Sequence, residues 1–215
     1  MTSRLQEFFR AISLPLVLWQ RFLFSRTSAL RSTGWIRSYI SRKPVDSSGK
    51  PIPWMNYAAV DFLNKRLKKD FDVFEWGSGF STLYFADKAS NVTSVEYDKS
   101  WYELIKTQTP SNVEIIYEAY GHPAYSGAIN RDDKKYNVIV VDGRERVKCF
   151  SNCFDHLRND GVVILDDSSR EKYQDTYTIA KNLGFKHLDI LGLKPRSHRV
   201  HQTTFFYRSE NCLDI

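Results

Sequence analysis

The sequence predicts an α/β protein built on a doubly wound, seven-stranded sheet. The sheet is expected to be mostly parallel with a C-terminal antiparallel strand, and an N-terminal helical appendage precedes it. Three observations carry that expectation. Short apolar runs alternate with stretches of helical periodicity beyond Trp54, as a parallel sheet with crossover helices requires. The first apolar run ends in Glu75 and passes directly into Gly77-Ser78-Gly79, a tight turn from strand to helix. The last two runs, 185–191 and 202–208, are joined by only ten residues. Parallel neighbours need a crossover of about a dozen or more, so this final pair is expected to be antiparallel.

Composition is that of a soluble globular chain: 42% apolar and 26% charged over 215 residues, enough for one domain and an appendage. The net charge of +6 is unevenly placed. Residues 1–43 hold eight basic residues and one acidic residue, Glu7, while the remainder holds 23 basic and 24 acidic residues. The basic character therefore belongs to the N-terminal segment. Its apolar run Leu14–Trp19 is interrupted by Gln20 and Arg21 and resumes at Phe22. That is short of the roughly 20 apolar residues of a membrane span, and no small-residue cleavage site follows it. Two short helices hinged at Pro15 are expected, with Phe8, Phe9, Ile12, Leu16, Trp19 and Leu23 supplying apolar faces. Such helices can pack on the domain or form a homodimer contact. An Arg-rich, aromatic segment also suits an anionic membrane surface, and a basic one suits nucleic acid.

Residues 44–53, rich in Pro, Gly and Ser, read as a linker, leaving 54–215 as the main domain. Helical spacing of Ala58, Ala59, Phe62, Leu63 and Leu67 predicts a helix over 54–69. Strands are then expected at 71–75, 91–96, 113–117, 137–141, 161–165, 185–191 and 202–208. Helices are expected at 80–89, 99–108, 144–157 and 170–183. Asn159-Asp160-Gly161 reads as a turn before the fifth strand, and Gly184 as the stop of the last helix. Cys149, Cys153 and Cys212 are too few and too oddly spaced for a disulfide framework or a structural zinc pair. Reduced thiols and a cytoplasmic location are expected, with peripheral membrane attachment as the alternative.

About twenty residues beyond the glycine turn, the run Val92–Val95 ends in Glu96. Glycines let backbone approach a ligand closely, and a carboxylate at the tip of the second strand can accept hydrogen bonds from ribose hydroxyls. The acidic-x-Gly-x-Gly pattern at Glu75–Gly79, the position of Glu96 and the seven-strand order resemble the class I S-adenosylmethionine-dependent methyltransferases over residues 54–208, a Rossmann-like fold. The resemblance implies S-adenosyl-L-methionine as cofactor. It implies Glu75 near the methionine ammonium, Gly77 and Gly79 passing close to the cofactor, and Glu96 with Tyr97 at the ribose and adenine. Ser78, Ser81, Thr82 and Asp142 complete the candidate cofactor set. Ser81 and Thr82 stand where dinucleotide-binding domains carry a third glycine, and their hydroxyls suit the start of a helix.

Ligands of open α/β sheets bind outside the carboxyl ends of the strands. The fourth strand delivers Asp142, followed by Arg144 and Arg146, and the fifth delivers Asp166 and Asp167, followed by Arg170. Three carboxylates at one edge call for a proton, a cation or a metal ion. Metal-dependent catechol-type O-methyltransferases have a similar layout. That resemblance makes Asp142, Asp166 and Asp167 candidate Mg2+ ligands, with neutralisation by the nearby arginines as the alternative. Asp142 and Asp167 are the first candidates for a general base, with His198 and His201 second. The 119–135 loop, with His122 and Tyr125, reads as a lid or substrate wall, and Tyr173 as core or as an aromatic facing the acceptor. The expected activity is methyl transfer to an oxygen of a small-molecule or glycan acceptor. An aminopropyl transferase on the same sheet is one alternative. A non-catalytic binding module recruited through the basic N-terminal segment is another. No specific nucleic-acid recognition is expected, because the core lacks a basic stripe and the Asn/Asp-Pro-Pro-Tyr motif usual in base-modifying methyltransferases.

Overall fold

A computed structural model of the chain describes residues 14–215. The strands are β1 (Asp72–Trp76), β2 (Asn91–Glu96), β3 (Val113–Tyr117), β4 (Tyr136–Val141), β5 (Leu157–Asp166), β6 (Lys186–Leu193) and β7 (Val200–Tyr207). They form one seven-stranded sheet in the order β3-β2-β1-β4-β5-β7-β6. The first five are parallel, β7 runs antiparallel to β5, and β6 antiparallel to β7. The antiparallel end follows from the short β6–β7 connection, as expected.

The central strand β4 is buried on both faces, which is why its Val138–Val141 stretch reads as an unbroken apolar run. Alternate residues feed two cores. Phe74 and Trp76 of β1 join Tyr136, Phe150 and Phe206 on one face, while Val73 joins Leu63, Phe85 and Phe205 on the other. The sheet order places the tips of β1, β2, β4 and β5 along one edge, and that edge carries the site.

Several boundaries move from their sequence expectation. The helix expected over 54–69 is Tyr57–Asn64. Asn56 starts it by accepting from the Ala59 amide at 2.9 Å, and its side-chain amide also donates to Ile190 O and Thr203 Oγ1, tying the helix to β6 and β7. The expected helix 144–157 is Arg146–Ser151 followed by a 3-10 turn at Phe154–His156. That expected at 170–183 is a 3-10 turn at Glu171–Tyr173 followed by Asp175–Asn182. Asn159-Asp160-Gly161 lies inside β5, not before it. The Leu157 side chain covers Gly161 so closely that a Cβ there would lie 2.7 Å from it, and the β4–β5 register shifts between Tyr136 and Val138.

The N-terminal region is joined to the domain from residue 35 onward. Helix Trp35–Ser41 docks through Trp35 Nε1, which donates to Ser197 O at 2.8 Å, and through Ser38, whose hydroxyl exchanges hydrogen bonds with Val45. Residues 44–53 form an ordered turn around Asp46, with Val45 bridged to Pro51. Residues 14–24 are helical and expose Leu16, Trp19 and Phe24. Among the described residues no helix is long and apolar enough to cross a membrane. Phe8, Phe9 and Ile12 lie outside the described residues.

Candidate active site

A cavity of about 760 Å³ opens at the tips of β1, β2 and β4. Its floor is the Gly77-Ser78-Gly79 turn, and Glu96, Tyr97, Asp142 and Arg144 lie on its walls. Gly77 has a φ of +101°, and a Cβ there would lie 3.1 Å from the Gly143 amide. The two strand ends therefore approach across a gap that only a glycine leaves open.

Glu96 is 3% exposed, and its carboxylate is held by backbone. Oε1 accepts from the amides of Tyr97 (2.9 Å) and Asp98 (2.8 Å), and Oε2 from the amide of Ser78 (3.1 Å). Two carboxylate oxygens offer about four acceptor positions, so the three amides leave capacity for a ribose hydroxyl. Trp101 closes this side: its Nε1 donates to Ser78 O at 2.7 Å, and its ring packs beside Gly79.

Glu75 lies beneath the turn and is not among the residues lining the cavity. Its Oε1 accepts from Ser94 Oγ at 2.9 Å and from Thr82 Oγ1, which in turn accepts from the Gly79 amide at 2.8 Å. This chain secures the turn without a third glycine and explains Thr82 at that position. Ser78 is tied to the same network through Ser94 at 2.6 Å, and Ser81 lines the cavity. Glu75 Oε2 is buried without a hydrogen-bond partner. Burial raises the Glu75 pKa to about 7, against the pull of the Thr82, Ser81 and Ser94 hydroxyls.

Asp142 stands at the β4 tip. Its Oδ1 meets Arg146 Nη2 at 2.6 Å. The guanidinium also donates to the backbone oxygens of Asp142, Gly143 and Asp166, clamping the ends of β4 and β5 together. Burial lifts the Asp142 pKa to about 7; Arg146 opposes the shift and Asp166 adds to it. Asp166 accepts from Lys194 at 3.1 Å and Thr203 at 2.7 Å. Asp167 accepts from Lys194 at 2.8 Å, His201 Nδ1 at 2.9 Å and Arg170. Burial alone would raise Asp167, but Lys194, His201 and Arg170 outweigh it and hold the pKa at about 2.

These pairings do not support the expected Mg2+ site. Asp142, Asp166 and Asp167 are each engaged by a protein cation, and among the described residues no group of three acidic, His or Cys side chains is placed to hold a metal ion. The arginines, joined by Lys194, neutralise the cluster. The two histidines also part company. His201 is fixed between Asp167 and Ser197, with Ser197 Oγ 2.8 Å from Nε2, while His198 is exposed. Neither lines the cavity at Asp142. In the 119–135 segment, Tyr125 is fully buried, and no residue of the segment lines the cavity. Trp76 Nε1 donates to its carbonyl at 2.9 Å, and its hydroxyl accepts from the Arg144 amide at 3.0 Å. Tyr173 belongs to the core.

Gly143 is the point where Tyr125 comes against a residue of the site. A Cβ there would lie 2.0 Å from the Tyr125 hydroxyl. Gly143→Ala is expected to destabilise the fold by about 1–3 kcal/mol by displacing Tyr125, read as a lower midpoint in urea unfolding.

Sequence reasoning missed Lys194, Trp101, and the pair Arg42 and Lys43, which also line the cavity. Trp101 follows the Glu96 tip by five residues and was open to detection from that spacing. Lys194 carried no local signal, because its carboxylates lie 27 and 28 residues away.

No family model matches the chain, and no curated protein matches its sequence. Solved structures do share its fold. A precorrin-6y C5,15-methyltransferase from Geobacter metallireducens superposes with a TM-score of 0.56 at 13% identity, covering 71% of this chain and 88% of that one. A methyltransferase from Pyrococcus furiosus gives 0.53 at 20% identity, over 81% and 93% of the two chains. Spermidine synthase from Thermotoga maritima gives 0.53 at 14% identity, over 71% and 61%. The chain thus shares the Rossmann-like α/β fold of these methyltransferases and of spermidine synthase.

Proposed function

We propose that this chain transfers a methyl group from S-adenosyl-L-methionine to an oxygen of a small-molecule or glycan acceptor. One observation carries the reading: a single cavity joins a glycine turn, a ribose-suited carboxylate at Glu96 and a half-buried carboxylate at Asp142. The residues fit the cofactor, since Gly77 permits close backbone approach and Glu96 retains acceptor capacity. Bound there, the cofactor supplies a methyl group already activated on a sulfonium.

The protein's part is to position and to move one proton. The Arg146 guanidinium pins Oδ1 of Asp142, while Oδ2 has no hydrogen bond to the described residues. With its pKa near the working range, Asp142 can take the proton from an acceptor hydroxyl as the new bond forms. Asp167, ionised and triply paired, is a poor base and serves as the anchor of the β5 tip.

Spermidine synthases on this fold favour a second reading, aminopropyl transfer, in which Asp142 would deprotonate an amine. Calorimetry with S-adenosylmethionine and its decarboxylated form separates the two. Preferred binding of the carboxylated donor, with label transferred from its methyl group, supports methyl transfer. Preference for the decarboxylated donor supports the alternative.

A further inference from the structure

A second cavity, about 330 Å³, adjoins the first along Gly143, Arg144 and Arg146. Its walls come from the 143–148 turn and helix and from the 3-10 turn after β5, so it sits beside Asp142 on the side away from Glu96. Five of its lining residues are basic: Arg144, Arg146, Lys148, Arg170 and Lys172. Glu145 is the one acid on the wall, and Lys148 already pairs with it. Arg146 is committed to Asp142, and Arg170 to Asp167.

Arg144 and Lys172 have no carboxylate within 4 Å among the described residues. Arg144 instead donates to the neutral Tyr97 hydroxyl at 2.9 Å, with its guanidinium 5.0 Å from that ring's centroid, and Lys172 lies 4.9 Å from the centroid of Tyr173. A tyrosine face holds a cation in place without neutralising it. The backbone at Glu145, with φ +45°, turns this cation-bearing wall in a conformation that non-glycine residues rarely adopt. Two unneutralised cations from separate elements thus line one recess beside the expected base.

We infer that this recess is the acceptor subsite, and that the acceptor carries an oxyanion, a carboxylate or a phosphate, held by Arg144 and Lys172. Arg144, which lines both cavities, then places the anion next to the cofactor pocket. The inference rests on the methyltransferase reading for the word acceptor, and on the cation geometry alone for the anion.

The test is calorimetric titration of the full chain with glucuronate, inorganic phosphate and, as a neutral control, glucose, each with and without S-adenosylhomocysteine. Saturable binding of either anion, without binding of glucose, is the expected result, and its source follows from which anion binds. The Arg144→Gln/Lys172→Gln variant should bind that anion about tenfold more weakly, and Lys172→Gln alone, at a residue absent from the cofactor cavity, should weaken anion binding while leaving S-adenosylhomocysteine affinity within about twofold of wild type. Absence of binding by both anions, or anion binding unchanged in the variant, overturns the inference. So does a loss of S-adenosylhomocysteine affinity with anion binding intact, which would assign Arg144 to the cofactor. If the anion binds as expected while S-adenosylhomocysteine does not, the anion subsite stands and the methyltransferase reading falls.

Discussion

Asp142→Asn is expected to lower the methyl-transfer rate constant by about 10²–10⁴-fold, the usual contribution of a general base, while S-adenosylhomocysteine affinity stays within a few fold. The substitution keeps side-chain size. Arg146 retains the backbone oxygens of Asp142, Gly143 and Asp166, so the clamp between β4 and β5 persists. The pH dependence supplies a sharper signature. A base works only without its proton, so the wild-type rate should rise with pH through about 7, where Asp142 titrates. The Asn variant should lack that limb. Asp167→Asn should behave differently, because a carboxylate with a pKa of about 2 stays ionised throughout this range. Its folded pKa is depressed, so its contribution to stability is present above the unfolded value and fades as pH falls toward about 2. Removing it should cost stability and leave the activity limb near 7 in place. A rate–pH profile of both variants, with thermal melts, checks the assignment.

Glu96→Ala is expected to produce the largest loss of cofactor binding, roughly 100-fold or more, together with a clear fall in thermal midpoint. Three backbone amides, those of Ser78, Tyr97 and Asp98, terminate on this one carboxylate. Each donor left buried and unsatisfied costs about 1–3 kcal/mol. Glu96→Gln should fall between wild type and Ala. Its remaining oxygen can serve Tyr97 and Asp98, but its amide group faces the Ser78 N–H, donor against donor. Calorimetry with S-adenosylhomocysteine beside differential scanning separates the ligand effect from the fold effect. A Gln variant with a midpoint lowered less than that of Ala, and with poor binding, is the expected pattern.

The order of these sensitivities reflects what local sequence can encode. The turn at Gly77-Ser78-Gly79 and the carboxylate at Glu96 were legible because strand, glycine turn, helix and acid-tipped strand follow one another at short spacing in the chain. The antiparallel end was legible because connection length is a local quantity. The start of β5 was not, since Asn159-Asp160-Gly161 carries turn composition while Leu157 and the neighbouring β4 hold it as strand. The carboxylate cluster was located correctly along the chain, yet its chemistry was set by Lys194, a residue on the far side of β6 in sequence. Without that ammonium, Asp142, Asp166 and Asp167 look like oxygen ligands for Mg2+. With it and the Arg146 guanidinium, each has a protein partner, and Asp142 is the one that lines the cavity. His201 and His198 were equivalent on paper; the Asp167 carboxylate distinguishes them in space.

The cavity at the β1, β2 and β4 tips is expected to bind S-adenosylmethionine. Calorimetric titration of the full chain with S-adenosylhomocysteine is the direct measurement. A single saturable site is expected, weakened in Glu96→Gln and preserved in Asp142→Asn. No binding by the wild-type protein, or equal binding by wild type and Glu96→Gln, would contradict it.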